Sequence, residues 1–185
     1  MDYQTIPKNH RLPGEFWVFA YGSLIWNPGF KYTQRKKACL RNWARRFWQA
    51  STDHRGNPEA PGRVLTLVPH EGATCEGIAY QIHGNIEATL SYLDHRERGG
   101  YQRQVLPVEI TGPPGETRDM LVYIGDSQHP LFTGPTPIGD ISRILTRSHG
   151  ESGSNLDYYR ELATALHREN ISDPHITHIA RNLPA

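Results

Sequence analysis

The chain has 185 residues, a net charge of +1, 37% hydrophobic and 21% charged residues. Such a chain can bury a sizeable core, and its composition fits an ordinary globular protein rather than a disordered one. A charge so near zero gives no electrostatic ground for nucleic acid or an anionic membrane as partner. No apolar run approaches the roughly 18 residues that span a bilayer.

Met1 to Glu15 reads as an irregular lead-in, polar over Met1 to Gly14 and without a signal-peptide apolar stretch. Phe16 to Tyr21 is aromatic and β-branched and reads as a buried strand ending at Gly22-Ser23. Lys31 to Lys37 is a polar connector, and Ala38 to Ala50 is a long aromatic-rich strand. Ser51 to Gly62, with its glycines, prolines and charges, reads as a surface loop. Arg63 to Val68 and Thr74 to Ile82 read as a hairpin turning at Pro69-His70-Glu71-Gly72-Ala73. Asn85 to Arg98 is a helix, with Asn85 as N-cap, Glu87 in its first turn, Arg96 and Arg98 in its last, and Gly99-Gly100 as its stop. Gln102 to Ile110 and Met120 to Ile124 form a second hairpin around Gly112-Pro113-Pro114-Gly115. The remainder is helical. Thr136 caps a helix with Pro137 at its first position, Ser154-x-x-Asp157 opens another, and Asp173 to Asn182 is a short last one. Strands first and helices later predict an α+β fold: a single domain over 1–185 with a mainly antiparallel, barrel-like sheet and C-terminal helices over 137–182. Cys39 and Cys75 form no C-x-x-C and read as buried, reduced thiols of a cytoplasmic protein.

Glu97 carries the most chemical information. Ile86, Leu90 and Leu93 form the apolar stripe of its helix, and at 100° per residue position 97 falls within about 20° of that stripe. A carboxylate facing a core has a raised pKa, which suits an acid or base working near neutral pH. The alternative is that the last turn frays and Glu97 turns outward to pair with Arg96 or Arg98. Tyr21-Gly22-Ser23-Leu24 follows a buried strand, where successive free N–H groups cradle an anion or form an oxyanion hole; the competing reading is an ordinary turn. Ser23 is disfavoured as a nucleophile, because the G-x-S-x-G elbow is absent. In the loop Ser51 to Gly62, Arg55 or the adjoining Arg63 would hold a carboxylate-bearing ligand, unless the loop is simply solvated. His175-x-x-His178 reads as surface histidines on a short helix, so no metal ligand is assigned. Phosphate-loop and dinucleotide fingerprints are absent.

Several motifs become specific together. Phe19-Ala20-Tyr21-Gly22-Ser23-Leu24-Ile25-Trp26 resembles the opening signature of the ChaC family of γ-glutamylcyclotransferases. Arg45-Arg46-Phe47-Trp48-Gln49, Ser51 through Gly56 and Pro61-Gly62-Arg63-Val64 are similar to later family segments. Tyr92-Leu93-Asp94-x-Arg96-Glu97-x-Gly99-Gly100-Tyr101 resembles the catalytic segment, and Tyr123-Ile124-Gly125 and Ser152-Gly153-x-Asn155 continue the match. The resemblance runs from about Phe16 to Leu166. It implies a mixed barrel with flanking helices and cleavage of glutathione to 5-oxoproline and cysteinylglycine, with no cofactor. It implies Glu97 as the catalytic acid/base and Val18, Phe19, Ala20, Tyr21, Gly22, Ser23 and Leu24 as the γ-glutamyl-binding segment. Arg55, Arg63 and Tyr101 complete the substrate-binding candidates. Ala20 departs from the family's usual Gly, and its methyl would crowd the segment if the backbone there needs a positive φ. The alternatives are a cyclotransferase for other γ-glutamyl amino acids or amines, and a non-catalytic regulator linked to cation transport.

Overall fold

Aromatic and β-branched runs build the strands, and amphipathic runs build the helices. The computed structural model describes residues 4–5, 15–113 and 115–184. In chain order the elements are β1 (Gln4–Thr5), β2 (Glu15–Ala20), β3 (Gln34–Ser51), β4 (Gly62–His83), α1 (Ile86–Arg96), β5 (Tyr101–Ile110) and β6 (Glu116–Gly125). They continue with α2 (Ile138–Arg147), β7 (His149–Gly150), β8 (Gly153–Ser154), α3 (Asn155–Arg168) and α4 (Pro174–Ala180).

The strand order is β1-β5-β3-β4-β2-β6, and pairing of β5 with β6 closes a ring of five strands. The barrel is mixed. β2 runs antiparallel to β4 from Glu15↔His83 to Ala20↔Ile78, but parallel to β6 through Val18↔Leu121. Closure gives the ring strands partners on both sides, so their backbone groups do not present an open edge.

Two compact units divide the chain. The first is Met1–Ala44 with Pro69–Asp126 and holds β2, α1, β5, β6 and portions of β3 and β4. Its core contains Val18, Ile78, Leu93, Val108 and Val122, all without solvent exposure. Burying each such side chain contributes about 1.5–3 kcal/mol. The second unit is Arg45–Val68 with Ser127–Ala185, and it packs Phe47, Ile141, Leu145, Leu162 and Ile179 into its own core.

Local sequence signals account for the helix ends. Asn85 Oδ1 accepts from the Ala88 N–H at 3.1 Å, Ser154 Oγ from Asp157 at 3.0 Å, and Asp173 Oδ1 from His175 and Ile176 at 2.9 and 3.2 Å. Each cap is worth about 1 kcal/mol. α1 stops at Arg96, with Gly99-Gly100 just beyond.

The structure corrects several expectations. The hairpin expected over 63–82 is one continuous strand, β4; the reversal lies at 52–61, between β3 and β4. Pro69 to Ala73 have turn chemistry, but Gly72 (φ +75°) faces Asn42 (φ +62°) on β3, and Asn42 Oδ1 accepts the Gly72 N–H at 3.0 Å. Both strands are distorted together there, and neither reverses. Gln34 to Lys37, read as connector, already belong to β3. Pro137, not Thr136, is the N-cap of α2, since the Thr136 hydroxyl donates backwards to the Gly134 carbonyl at 3.1 Å. The short ribbon β7–β8 interrupts the stretch read as helical. Most of the expected lead-in lies outside the described residues. Of the rest, Gln4–Thr5 pairs with β5 and Glu15 opens β2. Cys39 and Cys75 are buried and not in a disulfide, as expected. No helix of the described residues is long and apolar enough to cross a membrane.

Candidate active site

Where β2 leaves the barrel, the chain turns into a short 3-10 helix over Ser23–Ile25. The Tyr21 ring is buried and its hydroxyl donates to the Tyr123 carbonyl on β6 at 2.7 Å. Leu24 and Ile25 are buried, and the Tyr80 hydroxyl of β4 donates to their carbonyls at 3.1 and 3.3 Å. The turn is thus anchored on its inner side by two tyrosines. On its outer side the N–H groups of Ser23 and Leu24 begin the 3-10 helix and donate to no group among the described residues.

The C-terminal turn of α1 meets this turn. Asp94 receives a two-pronged contact from the buried Arg103 of β5, with Nε donating to Oδ1 at 2.8 Å and Nη2 to Oδ2. The Tyr123 hydroxyl donates to the same carboxylate at 2.9 Å. Burial, reinforced by the Asp94 charge, pushes the Tyr123 pKa far up, so that hydroxyl remains a donor. Two residues on, Arg96 donates to the Asn27 carbonyl at 2.6 Å and the Tyr92 hydroxyl at 2.9 Å through Nη1, and to Ser23 Oγ at 2.8 Å through Nη2. Its Nε lies 3.5 Å from Glu97 Oε1.

Glu97 is the C-cap of α1, its N–H donating to the Leu93 carbonyl at 2.8 Å. Its side chain is 17% exposed. Burial drives its pKa up from the ordinary 4.5 to about 7, against a smaller lowering by the Arg96 charge. Both sequence readings of Glu97 therefore meet. It lies on the buried side of the helix, and it pairs with Arg96.

Comparison with known proteins follows the same segments. Residues 16–184 match the family described as ChaC-like protein. The chain belongs to the ChaC-like family. A human protein named glutathione-specific gamma-glutamylcyclotransferase 1 is 39% identical over 161 residues, 85% of this chain and 72% of its own. A Schizosaccharomyces pombe protein named glutathione-specific gamma-glutamylcyclotransferase is 36% identical over 169 residues, 83% of each chain. A crystal structure of the γ-glutamylcyclotransferase specific to glutathione from yeast superposes with a TM-score of 0.85 at 28% identity, covering 92% of this chain and 97% of that one. These relatives are enzymes, and the ChaC-like chain shares their fold.

Within this ChaC-like chain the candidate residues take distinct places. Val18, Phe19, Ala20, Tyr21 and Leu24 are all buried, which leaves Gly22 and Ser23 as the accessible part of the segment. Ala20 pairs with Ile78 in regular strand and has no positive φ, so its methyl meets none of the backbone restriction anticipated for it. Tyr101 is half-buried and opens β5 opposite Gly125. Arg55 and Arg63 belong to the second unit. The Arg55 guanidinium is engaged there by the Ser154 carbonyl at 3.2 Å, Glu161 at 3.3 Å and the Tyr158 ring at 5.4 Å. Arg63 donates through Nη1 to the Gly62 carbonyl at 3.1 Å, while its buried Nε has no partner among the described residues. Burial without an anion holds its pKa below the usual arginine value.

One expectation fails in that unit. His175 is buried rather than on the surface, because its Nε2 accepts the Phe47 N–H at 3.1 Å. Burial, with the Arg46 charge adding to it, lowers its pKa to about 4. Among the described residues no group of three His, Cys, Asp or Glu is placed to hold a metal. The sequence places Arg96 at the helix terminus, in a pairing with Glu97 and within the segment that resembles the catalytic one, but gives it no site role. Its i, i+4 relation to Tyr92 was the local signal available; its contacts to Ser23 and Asn27 lie 73 and 69 residues away.

Proposed function

We propose that this chain cleaves glutathione to 5-oxoproline and cysteinylglycine, with Glu97 as the acid/base. The observation that carries the reading is a carboxylate with a pKa raised to about 7, linked through Arg96 to a turn with unclaimed N–H groups. The substrate's own α-amine attacks its γ-carbonyl, a new C–N bond closes the five-membered ring, and the old γ-amide C–N bond breaks. Intramolecular attack has an effective molarity of order 10⁵ M or more once the chain is folded back. The reaction therefore needs neither an enzyme nucleophile nor a water. Ionised Glu97 takes one proton from the substrate ammonium to free the attacking amine and delivers it to the departing nitrogen. It relays to that same nitrogen the second proton, which the ring nitrogen sheds as the lactam forms, so cysteinylglycine leaves as an ammonium and Glu97 ends ionised. The Ser23 and Leu24 N–H groups receive negative charge, either the oxyanion of the attacked carbonyl or the substrate carboxylate.

The test is Glu97→Gln, which keeps the shape and removes the base. Cysteinylglycine release should fall at least about a hundredfold, and a folded variant with full activity would sink the assignment. Wild-type activity should be lost as pH falls through about 7, where Glu97 becomes protonated. It should persist in EDTA, and a loss restored by a divalent metal would overturn the cofactor-free mechanism. Turnover of glutathione against γ-glutamylcysteine and γ-glutamyl-alanine reads the leaving-group preference. Cys39 and Cys75, neither of them in a disulfide, support a reducing, cytoplasmic setting, which cell fractionation would check.

A further inference from the structure

Ser23 is half-buried, and its hydroxyl already accepts a hydrogen bond from Arg96 Nη2 at 2.8 Å. A hydroxyl that accepts from a cation points its own proton elsewhere. That proton meets no acceptor among the described residues, although the same turn leaves the Ser23 and Leu24 N–H groups unclaimed. Arg96 makes three hydrogen bonds, two of them to the turn segment (Ser23 Oγ and the Asn27 carbonyl) and one to Tyr92, while its Nε faces Glu97. A planar guanidinium with five donors spans these groups at once, which a single ammonium cannot do.

We propose that Arg96 is the positioning residue of this site: it orients the Ser23 hydroxyl as a third donor toward the substrate's anionic group and holds the Glu97 carboxylate against the same turn. Ser23 then binds and does not attack, consistent with the missing nucleophile elbow. The charges around Glu97 agree with this division of labour. Arg96 is the charged group that acts on it, whereas Asp94 and Arg103, a charged pair at this end of α1, hold each other. Arg98 is exposed.

The proposal rests on the cyclotransferase reading, so its test has one arm that needs no substrate. Carboxyl-labelled glutamate is followed by NMR through a pH titration of the ligand-free full chain, in wild type, Arg96→Met and Arg96→Lys. Arg96→Met should move the Glu97 midpoint upward by about one pH unit or more, and Arg96→Lys should leave it near the wild-type value. In the kinetic arm with glutathione, Ser23→Ala and Arg96→Lys should each lower kcat about tenfold or more. The double variant should be no worse than Arg96→Lys alone, because Ser23 depends on Arg96 for its orientation. Losses that multiply, or a folded Arg96→Met with an unmoved Glu97 midpoint, would overturn the proposal. Should Arg96→Met not fold, the Ser23→Ala and Arg96→Lys cycle decides it. A wild type that releases no 5-oxoproline would end the cyclotransferase reading, and the NMR titration would still test the arginine.

Discussion

Replacing Glu97 with glutamine should stabilise the protein at alkaline pH while removing its proposed activity. The folded pKa of about 7 stands 2.5 above the ordinary 4.5, and each unit is 1.36 kcal/mol. Ionised Glu97 therefore destabilises the native state by up to about 3 kcal/mol. The sign follows from the raised value. Below 4.5 the group is protonated in folded and unfolded chains alike and its contribution is intact. As pH rises toward 7 the unfolded chain releases the proton first, and by pH 8 the contribution is lost. A glutamine is neutral throughout, so the difference between variant and wild type should be near zero at pH 4 and open between 4.5 and 7. At pH 8 it should approach 3 kcal/mol, or roughly 6–12 °C in Tm for a chain of this size. Arg96 keeps its contacts with Ser23, Asn27 and Tyr92 in the variant, so the change isolates the carboxylate. Urea unfolding followed by tryptophan fluorescence at pH 4, 6 and 8 gives the measurement. A variant no more stable than wild type at pH 8, or a difference independent of pH, would refute the claim that Glu97 is strained by desolvation.

Three other perturbations test other parts of the fold. Gly29→Ala should loosen the site turn and lower both stability and activity, because Gly29 has φ +69° and a Cβ there would lie 1.9 Å from the Tyr92 hydroxyl; unchanged melting and turnover would contradict that packing. Asp173→Ala removes both the N-cap of α4 and the carboxylate 2.6 Å from Arg45, whose side chain is fully buried, so it should cost about 3–5 kcal/mol by denaturant unfolding. His175, whose pKa is lowered to about 4, contributes stability that is present above about 6.5 and lost as pH falls through 4; His175→Gln should flatten that acid limb, and an unchanged limb would show that His175 does not control it.

The sequence reveals most where the physics is local. Asn85, Ser154 and Asp173 are caps because a short polar side chain reaches an N–H two or three residues ahead, and that geometry is written in the spacing. Glu97 is legible for the same reason, since helical periodicity sets its direction before any tertiary contact is known. Reading fails where a distant partner decides. Pro69 to Ala73 contain ordinary turn residues, yet Asn42, 30 positions away, draws Gly72 into a distorted ladder and β4 continues. The small ribbon β7–β8 similarly depends on the loop after β3, where the Asp53 and His54 carbonyls accept from Glu151 and Ser152 at 2.9 and 3.0 Å. His175 looked like a surface residue on a short helix because the backbone donor it satisfies, at Phe47, lies 128 residues earlier.

These long-range contacts also explain how a destabilised carboxylate can persist. Arg96 lies 3.5 Å from Glu97, and that contact offsets only part of the desolvation of Glu97. The segment is held instead by groups beside it. Leu93 is fully buried four residues before, Asp94 is clamped by Arg103 and Tyr123, and Arg96 ties the helix end to Ser23 and Asn27. Each anchor is satisfied on its own, so together they fix the backbone of Glu97 without neutralising its side chain. Were the anchoring done by Glu97 itself, through a close two-pronged ion pair like that of Asp94, its pKa would be pulled down and it would hold no proton near neutral pH. Two carboxylates at one end of the helix thereby differ: Asp94 is paired and structural, and Glu97 is desolvated, as the acid/base role proposed for it requires.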